Sequence, residues 1–502
     1  MLFTSFEFFV LVLLTFCVYY LPGLRTFQVP LLIVASFLFY AWSSPALLLL
    51  LIASILLNVL TSFKVARSDT KRSRLTWAFS GVAVNLLVLG LFKYSGLFTG
   101  FFVNLFGLTP TPEDRLIHLL LTLPLPVGIS FYTFQGISLV VDVLRQQDSE
   151  LKNKQLQEKY YVQIAPLQYL LNTSFFLAFF PQLVAGPIVK ANDFFPQIAP
   201  KFYNQIAWNI VFRSLVTGYF LKMVVADNLK DYTFWITYPY YQSLGTVTNL
   251  SLLFGYSMQI FADFAGYSLI AIGIAAAFGY TLPENFSFPY ISRSIAEFWR
   301  RWHISLSTWL KSYLYIPLGG NRKSNLRTYI NLIIVMVLGG LWHGAAWSYA
   351  VWGLFHGVGL AIERFLGLGG KPKNSADNPR PAWQQFILDA IQVLTVFSFV
   401  SLGWLLFKLP RFDQAVDFVV TLFENTNVGL QLIYIIPVLI FSLPVLLYHL
   451  PHFPGVSQYF SGTVAATKNR FWTLTTDLGF GLMLVLLLLN AGSSTAFIYF
   501  QF

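Results

Sequence analysis

Apolar stretches long enough to cross a bilayer recur along nearly the whole chain, and they restrict its fold more than any other feature. A helix needs about 20 apolar residues to cross the hydrocarbon core. Such runs fall near residues 4–22, 27–43, 45–63, 75–93, 120–144, 168–185, 205–226, 247–278, 328–363, 383–408, 429–449 and 472–490. Some are candidates for broken, re-entrant or tilted helices, and 247–278 and 328–363 could each hold more than one element. The expectation is an all-α, polytopic helical membrane protein with about eleven spans. Composition agrees, since only 11% of the residues are charged where soluble domains approach about a quarter. Aromatic residues make up 18%, more than lipid contact needs, and many are expected in interfacial belts. No stretch reads as a separate soluble domain. Residues 1–502 are therefore expected to form one integral membrane domain, with a motif-bearing core near 170–365.

The net charge of +11 would suit nucleic acid in a soluble protein. Here the basic residues cluster in short loops between apolar runs, which is a topology signal, so nucleic acid is not an expected partner. The loop 64–74 carries Lys64, Arg67, Lys71, Arg72 and Arg74 against Asp69 alone. The positive-inside rule puts it in the cytoplasm. Three runs precede it, which places the N-terminus outside and Arg25, after the first run, inside. The first ten residues hold Glu7 and no Lys or Arg, and no small-residue cleavage site follows. That is a poor signal peptide, and the first span is expected to be retained. Cys17 is the sole cysteine, which excludes an intramolecular disulfide and a cysteine-based zinc site. The polar stretch 146–159 reads as a surface helix or loop, and 370–380 as a linker. Gly370-Lys371 lacks the upstream glycine of a phosphate-binding loop.

Two histidines stand out against this background. His303 lies in EFWRRWHISLS at 297–307 and His343 in GGLWHGAAW at 339–347. An ionisable side chain in apolar surroundings is costly to bury and by default marks a functional site. Drawn as one helix, residues 293–315 put Phe298, Trp302, Leu306, Leu310 and Tyr313 on one stripe and Arg300, His303, Ser307 and Lys311 on another. Glu297 is spaced to pair with Arg300 or Arg301. Such a helix would lie along the membrane interface or line a polar cavity. The two arginines suit either snorkelling anchors or the phosphates of a nucleotide-like donor such as coenzyme A.

Around His343, the residues Gly339, Gly340, Gly344, Ala345 and Ala346 remove side-chain bulk, so that another helix or a substrate can approach closely. Trp342 and Trp347 could wall a pocket. A neutral imidazole is a suitable general base for an alcohol. His356, about 220° further around a continuous helix, reads as structural, and His118, His449 and His452 read as interfacial. His303 and His343 supply at most two metal ligands without a third, so no metal is expected. Gly-x-Ser-x-Gly is absent, and with it the nucleophile elbow. Pro181, Gly186 and Pro187 break an apolar run at 180–188, as happens where backbone lines a cavity. Asp263 is a carboxylate in an apolar run. It could orient a histidine, pair with Arg300, or form a structural ion pair.

These residues resemble the membrane-bound O-acyltransferases, and in particular the bacterial polysaccharide-modifying branch that includes alginate O-acetyltransferase membrane subunits. The resemblance runs through 180–188, 263–268, 282–290, 297–322 (with YIPLGGNR at 315–322), 338–363 and the C-terminal 497–502. It implies tilted helices around a central tunnel, with His343 as the catalytic residue and His303 as the second residue of the site. Trp302, Trp342, Ser307, Arg300, Arg301, Asp263 and Pro187 would support donor and substrate. The resemblance further implies an acyl thioester donor in the cytoplasm, most simply acetyl-CoA, with no bound cofactor. The acetyl group would reach a cell-envelope polysaccharide such as alginate through periplasmic or membrane-anchored partner proteins, from a bacterial inner membrane. His343 would act as general base or be transiently acylated. D-alanyl transfer to a teichoic acid is the competing enzyme reading. A polysaccharide exporter with histidine proton relays is the reading from another class.

Overall fold

The computed structural model describes residues 1–42, 44–108, 114–150, 165–184, 186–368, 381–409, 411–454, 456, 470–493 and 497. The expected linker at 370–380, most of the polar stretch 146–159, Ala185 and the C-terminal 498–502 lie outside them. The described chain is helical, and eight helices in it are long and apolar enough to cross a membrane: Pro22–Ala41, Pro45–Arg67, Lys71–Leu105, Trp208–Ile236, Thr246–Ala277, Asn325–His343, Trp383–Lys408 and Leu432–His452. Phe6–Tyr19 and Leu474–Leu489 are shorter apolar helices. By its contacts the chain divides into two compact units, Met1–Phe212 with Ile270–Pro283, and Arg213–Leu269 with Glu284–Phe502.

The first unit is built from α1 (Phe6–Tyr19), α2 (Gln28–Ala41), α3 (Pro45–Arg67), α4 (Lys71–Leu89), α5 (Ser95–Leu105), α6 (Arg115–Thr122), α7 (Ile129–Glu150), α8 (Pro166–Ala178), α9 (Phe180–Leu183) and α10 (Ala191–Phe194). Local chemistry sets its ends. Pro45 opens α3, where a missing N–H costs nothing, and Lys64 and Arg67 close it against the negative end of the helix dipole. The Thr70 hydroxyl caps α4 by accepting from Ser73 N–H. Between helices, buried polar side chains act as the adhesive that apolar surfaces cannot supply in lipid. Asn85 Nδ2 donates to Asn58 Oδ1 at 2.9 Å, Tyr169 donates to Ser62 Oγ at 2.7 Å, and Lys93 Nζ donates to Ser130 Oγ at 3.1 Å. The run 180–188 is broken as expected. After α9 the chain is non-helical and buried around Pro187. A Cβ on Gly186 would fall 2.4 Å from Gln182 Cα, so only glycine fits.

The second unit takes up α11 (Trp208–Tyr219) from Arg213 onward. It continues through a π-helical turn at 220–226 into α12 (Asp227–Thr233). The long run at 247–278 is one helix, α13 (Thr246–Ala277), of 32 residues. By contrast, the expected single helix at 293–315 is two, α14 (Ile295–Arg301) and α15 (Ile304–Leu310), broken at Trp302 and His303. Likewise 328–363 is a helical hairpin of α16 (Asn325–His343) and α17 (Trp347–Phe365). Then follow α18 (Ala382–Lys408), α19 (Phe412–Glu424), α20 (Leu432–His449) and α21 (Arg470–Leu489). The α16–α17 crossing is as close as backbones allow. A Cβ on Gly340 would lie 2.1 Å from Tyr349 O, and one on Gly353 would lie 2.3 Å from Met336 O. The small residues around His343 therefore admit a second helix.

Candidate active site

The second unit brings His303 and His343 together. Their ring centroids lie 6.1 Å apart, although forty positions separate them in the chain. His343 is the last residue of α16, where Gly344 ends the helix in extended backbone. His303 sits at the break before α15 with φ 43° and ψ 55°, a left-handed conformation that non-glycine residues adopt at a cost of about 1–3 kcal/mol. Segment 285–287 runs antiparallel to this corner. Ile304 N–H donates to Asn285 O and Ser287 N–H to Arg301 O, both at 3.0 Å.

Aromatic rings enclose the pair. Phe264 meets His303 edge-on at 4.6 Å, and Trp342 lies 5.8 Å from His303 and 5.1 Å from His343. Trp352 and Phe407 each stand 5.3 Å from His343. His303 is fully buried and His343 is 5% exposed. Burial pushes the His303 imidazole down to about 3, so it is neutral at physiological pH.

A cavity of about 300 Å³ reaches His343. Its walls are chiefly apolar, with Leu306, Leu310, Val335, Met336, Trp352 and Leu360 among them, while Arg300, Ser307 and Lys311 bring polar and cationic groups. Arg300 and Lys311 are exposed, so the cationic end is open and the histidine end is closed in. This arrangement can seat an apolar arm with an anionic head at the open end and present its tip to an imidazole.

The other expected site residues sort themselves clearly. Arg301 is engaged by its own neighbours. Its Nη2 pairs with Glu297 Oε1 at 2.8 Å, and its Nη1 donates to Ser287 O at 3.1 Å. Glu297 thus takes Arg301 and leaves Arg300 to the cavity. Asp263 is paired with Lys222 Nζ at 2.8 Å, and Lys222 also holds Asp227 at 2.7 Å. Of the three roles open to Asp263, this is the structural ion pair, made with Lys222 and not with Arg300. Trp302 is buried and stacked on Phe298 at 5.5 Å, which makes it packing behind the corner. Pro187 belongs to the first unit. His356 lies on α17, because the helix breaks after His343, and its ring packs at 4.9 Å on Trp352. His449, the last residue of α20, is buried, with Nδ1 at 2.8 Å from Val445 O.

Trp352 and Asn285 escaped sequence reasoning as site residues, and so did Lys222 as the partner of Asp263. Lys222 gave the same signal as Asp263, an ionisable residue inside an apolar run. Among the described residues no three His, Cys, Asp or Glu side chains gather into a metal-ligand set.

Comparison with known proteins places the chain among acyl-transferring membrane proteins. The profile of the membrane-bound O-acyltransferase family matches residues 37–402. A probable alginate O-acetylase of Pseudomonas aeruginosa is 37% identical over 404 residues, covering 79% of this chain and 70% of that protein. A peptidoglycan O-acetyltransferase of Helicobacter pylori is 35% identical over 76% of this chain and 71% of its own. A teichoic acid D-alanyltransferase of Bacillus subtilis is 28% identical over 57% of this chain and 70% of its own.

Proposed function

The chain belongs to the membrane-bound O-acyltransferase family, and on that premise we propose that it moves an acetyl group from acetyl-CoA in the cytoplasm towards a cell-envelope polysaccharide, with alginate or a similar polymer as the final acceptor. The relatives named as alginate and peptidoglycan O-acetylating proteins support this reading. It includes an inner-membrane location, an external N-terminus, and periplasmic or membrane-anchored partners that carry the acetyl group onward. The observation that carries it is the cavity that joins exposed Arg300 and Lys311 to His343, whose ring lies 6.1 Å from that of His303.

In the proposed reaction Arg300 and Lys311 hold the donor's phosphates, and Leu306, Leu310, Val335 and Trp352 line its apolar arm. His343 removes the proton of the incoming hydroxyl as its oxygen attacks the thioester carbon. The C–O bond forms, the C–S bond breaks, and the proton passes from His343 to the departing thiolate. Neutral His303 steadies the developing charge beside it. The apolar walls keep water from the thioester. A cavity of about 300 Å³ is at the small end for ligand sites. It suits the acyl-thioester tip of an arm and leaves a nucleotide outside.

Membranes holding wild type or His343→Ala at matched levels, supplied with radiolabelled acetyl-CoA, test this directly. The variant is expected to lose about 10²- to 10⁴-fold in label transfer. Equal transfer in both would remove His343 from the chemistry. Transfer only from an aminoacylated carrier protein would favour D-alanyl transfer instead, the activity named for the Bacillus relative.

A further inference from the structure

We infer that Asn285 is the positioning residue for His303, a role that rests on the reading of His303 as part of the transfer site. The corner at His303 has an unfavourable backbone conformation and no glycine to relieve it, so tertiary contacts must hold it. Asn285 supplies them from both its main chain and its side chain. Its carbonyl accepts Ile304 N–H at 3.0 Å. Its Oδ1 accepts the Ser305 hydroxyl at 2.6 Å and Ser305 N–H at 3.3 Å. Its Nδ2 donates to Ser268 Oγ at 3.0 Å. All three side chains, Asn285, Ser268 and Ser305, are buried.

Ser268 lies one turn of α13 beyond Phe264, the ring that meets His303 edge-on. One face of α13 therefore both touches the imidazole and anchors the residue that holds its backbone. The task needs a carboxamide. Aspartate would accept from both serine hydroxyls but bury a carboxylate charge there, and alanine removes the oxygen that accepts from Ser305. The main-chain bond to Ile304 survives either change. The corner is thus expected to keep its path and lose its fixed orientation, which is a defect in rate more than in binding.

The test is a cycle in kcat and in KM for acetyl-CoA with wild type, His303→Gln, Asn285→Ala and the double variant, at matched protein levels. Asn285→Ala is expected to lower kcat about tenfold or more, with KM changed less than about threefold. The double variant is expected to be no slower than His303→Gln alone, because both substitutions remove one contribution. Ser268→Ala keeps both bonds to Ser305. It is expected to give a smaller loss of kcat, and it replaces Asn285→Ala if that protein fails to accumulate. Unchanged kcat in the Asn285 and Ser268 variants, losses that multiply in the double variant, or a defect carried by KM would overturn the inference. Wild-type kcat in His303→Gln would instead overturn the underlying reading of His303.

Discussion

Lys222 holds two carboxylates in a place that water does not reach. Its Nζ lies 2.7 Å from Asp227 and 2.8 Å from Asp263, with every side chain no more than 4% exposed. Removing one partner of a buried ion pair leaves uncompensated charge and costs about 3–5 kcal/mol. Lys222→Met is therefore expected to lower the thermal midpoint of the purified protein sharply or to prevent its accumulation. Adding Asp227→Asn and Asp263→Asn is expected to restore much of that loss, since no net charge remains buried. A Lys222→Met protein with the wild-type midpoint would show that the three groups are not energetically coupled. The residues themselves were legible, because charge in an apolar run is conspicuous. Their pairing was not. Asp263 could as well have met Arg300, and only the packing of α11–α12 against α13 gives it to Lys222. The same holds for Arg300 and Arg301, adjacent in sequence, of which one faces the cavity and the other faces Glu297.

At the scale of elements, the helical hairpin α16–α17 depends on glycines that interlock. Gly340→Ala would drive a methyl group to 2.1 Å from Tyr349 O, and the backbone there cannot yield cheaply. Such overpacking costs about 1–3 kcal/mol or more, and the displaced helix carries His343. Transfer activity is expected to fall well beyond the loss in protein level. Gly481→Ala in α21, with nothing within 4 Å of the new methyl, is expected to be neutral or slightly stabilising in a thermal-shift assay. Glycine spacing announced this close approach. The break at Trp302 and His303 announced nothing, since no Gly or Pro lies between Glu297 and Leu310. The stripe from Phe298 through Trp302 to Leu306 runs with helical spacing across it. Hydrogen bonds from residues 285–287, distant in sequence, override the local preference for a continuous helix.

For the whole molecule, the loop between α3 and α4 gives the topology test. Asp69 is exposed there, among the basic residues that the positive-inside rule assigns to the cytoplasm. With Cys17→Ser as background, Asp69→Cys is expected to resist a membrane-impermeant maleimide in intact cells and to react after permeabilisation. Labelling in intact cells would invert the orientation. Hydropathy alone determined that this chain is a helical membrane protein, because in lipid a long apolar run has few alternatives to a helix whose backbone bonds to itself. The motifs singled out the two histidines, and their resemblance to known proteins pointed to the family. What only tertiary structure decided was which groups meet. It broke the helix at His303, folded α16 against α17, set the two rings 6.1 Å apart, and opened the cavity to Arg300 but not to Arg301. The physical reason is range. Helical periodicity relates residues three or four apart, whereas the site is made of contacts between segments that lie tens of residues apart.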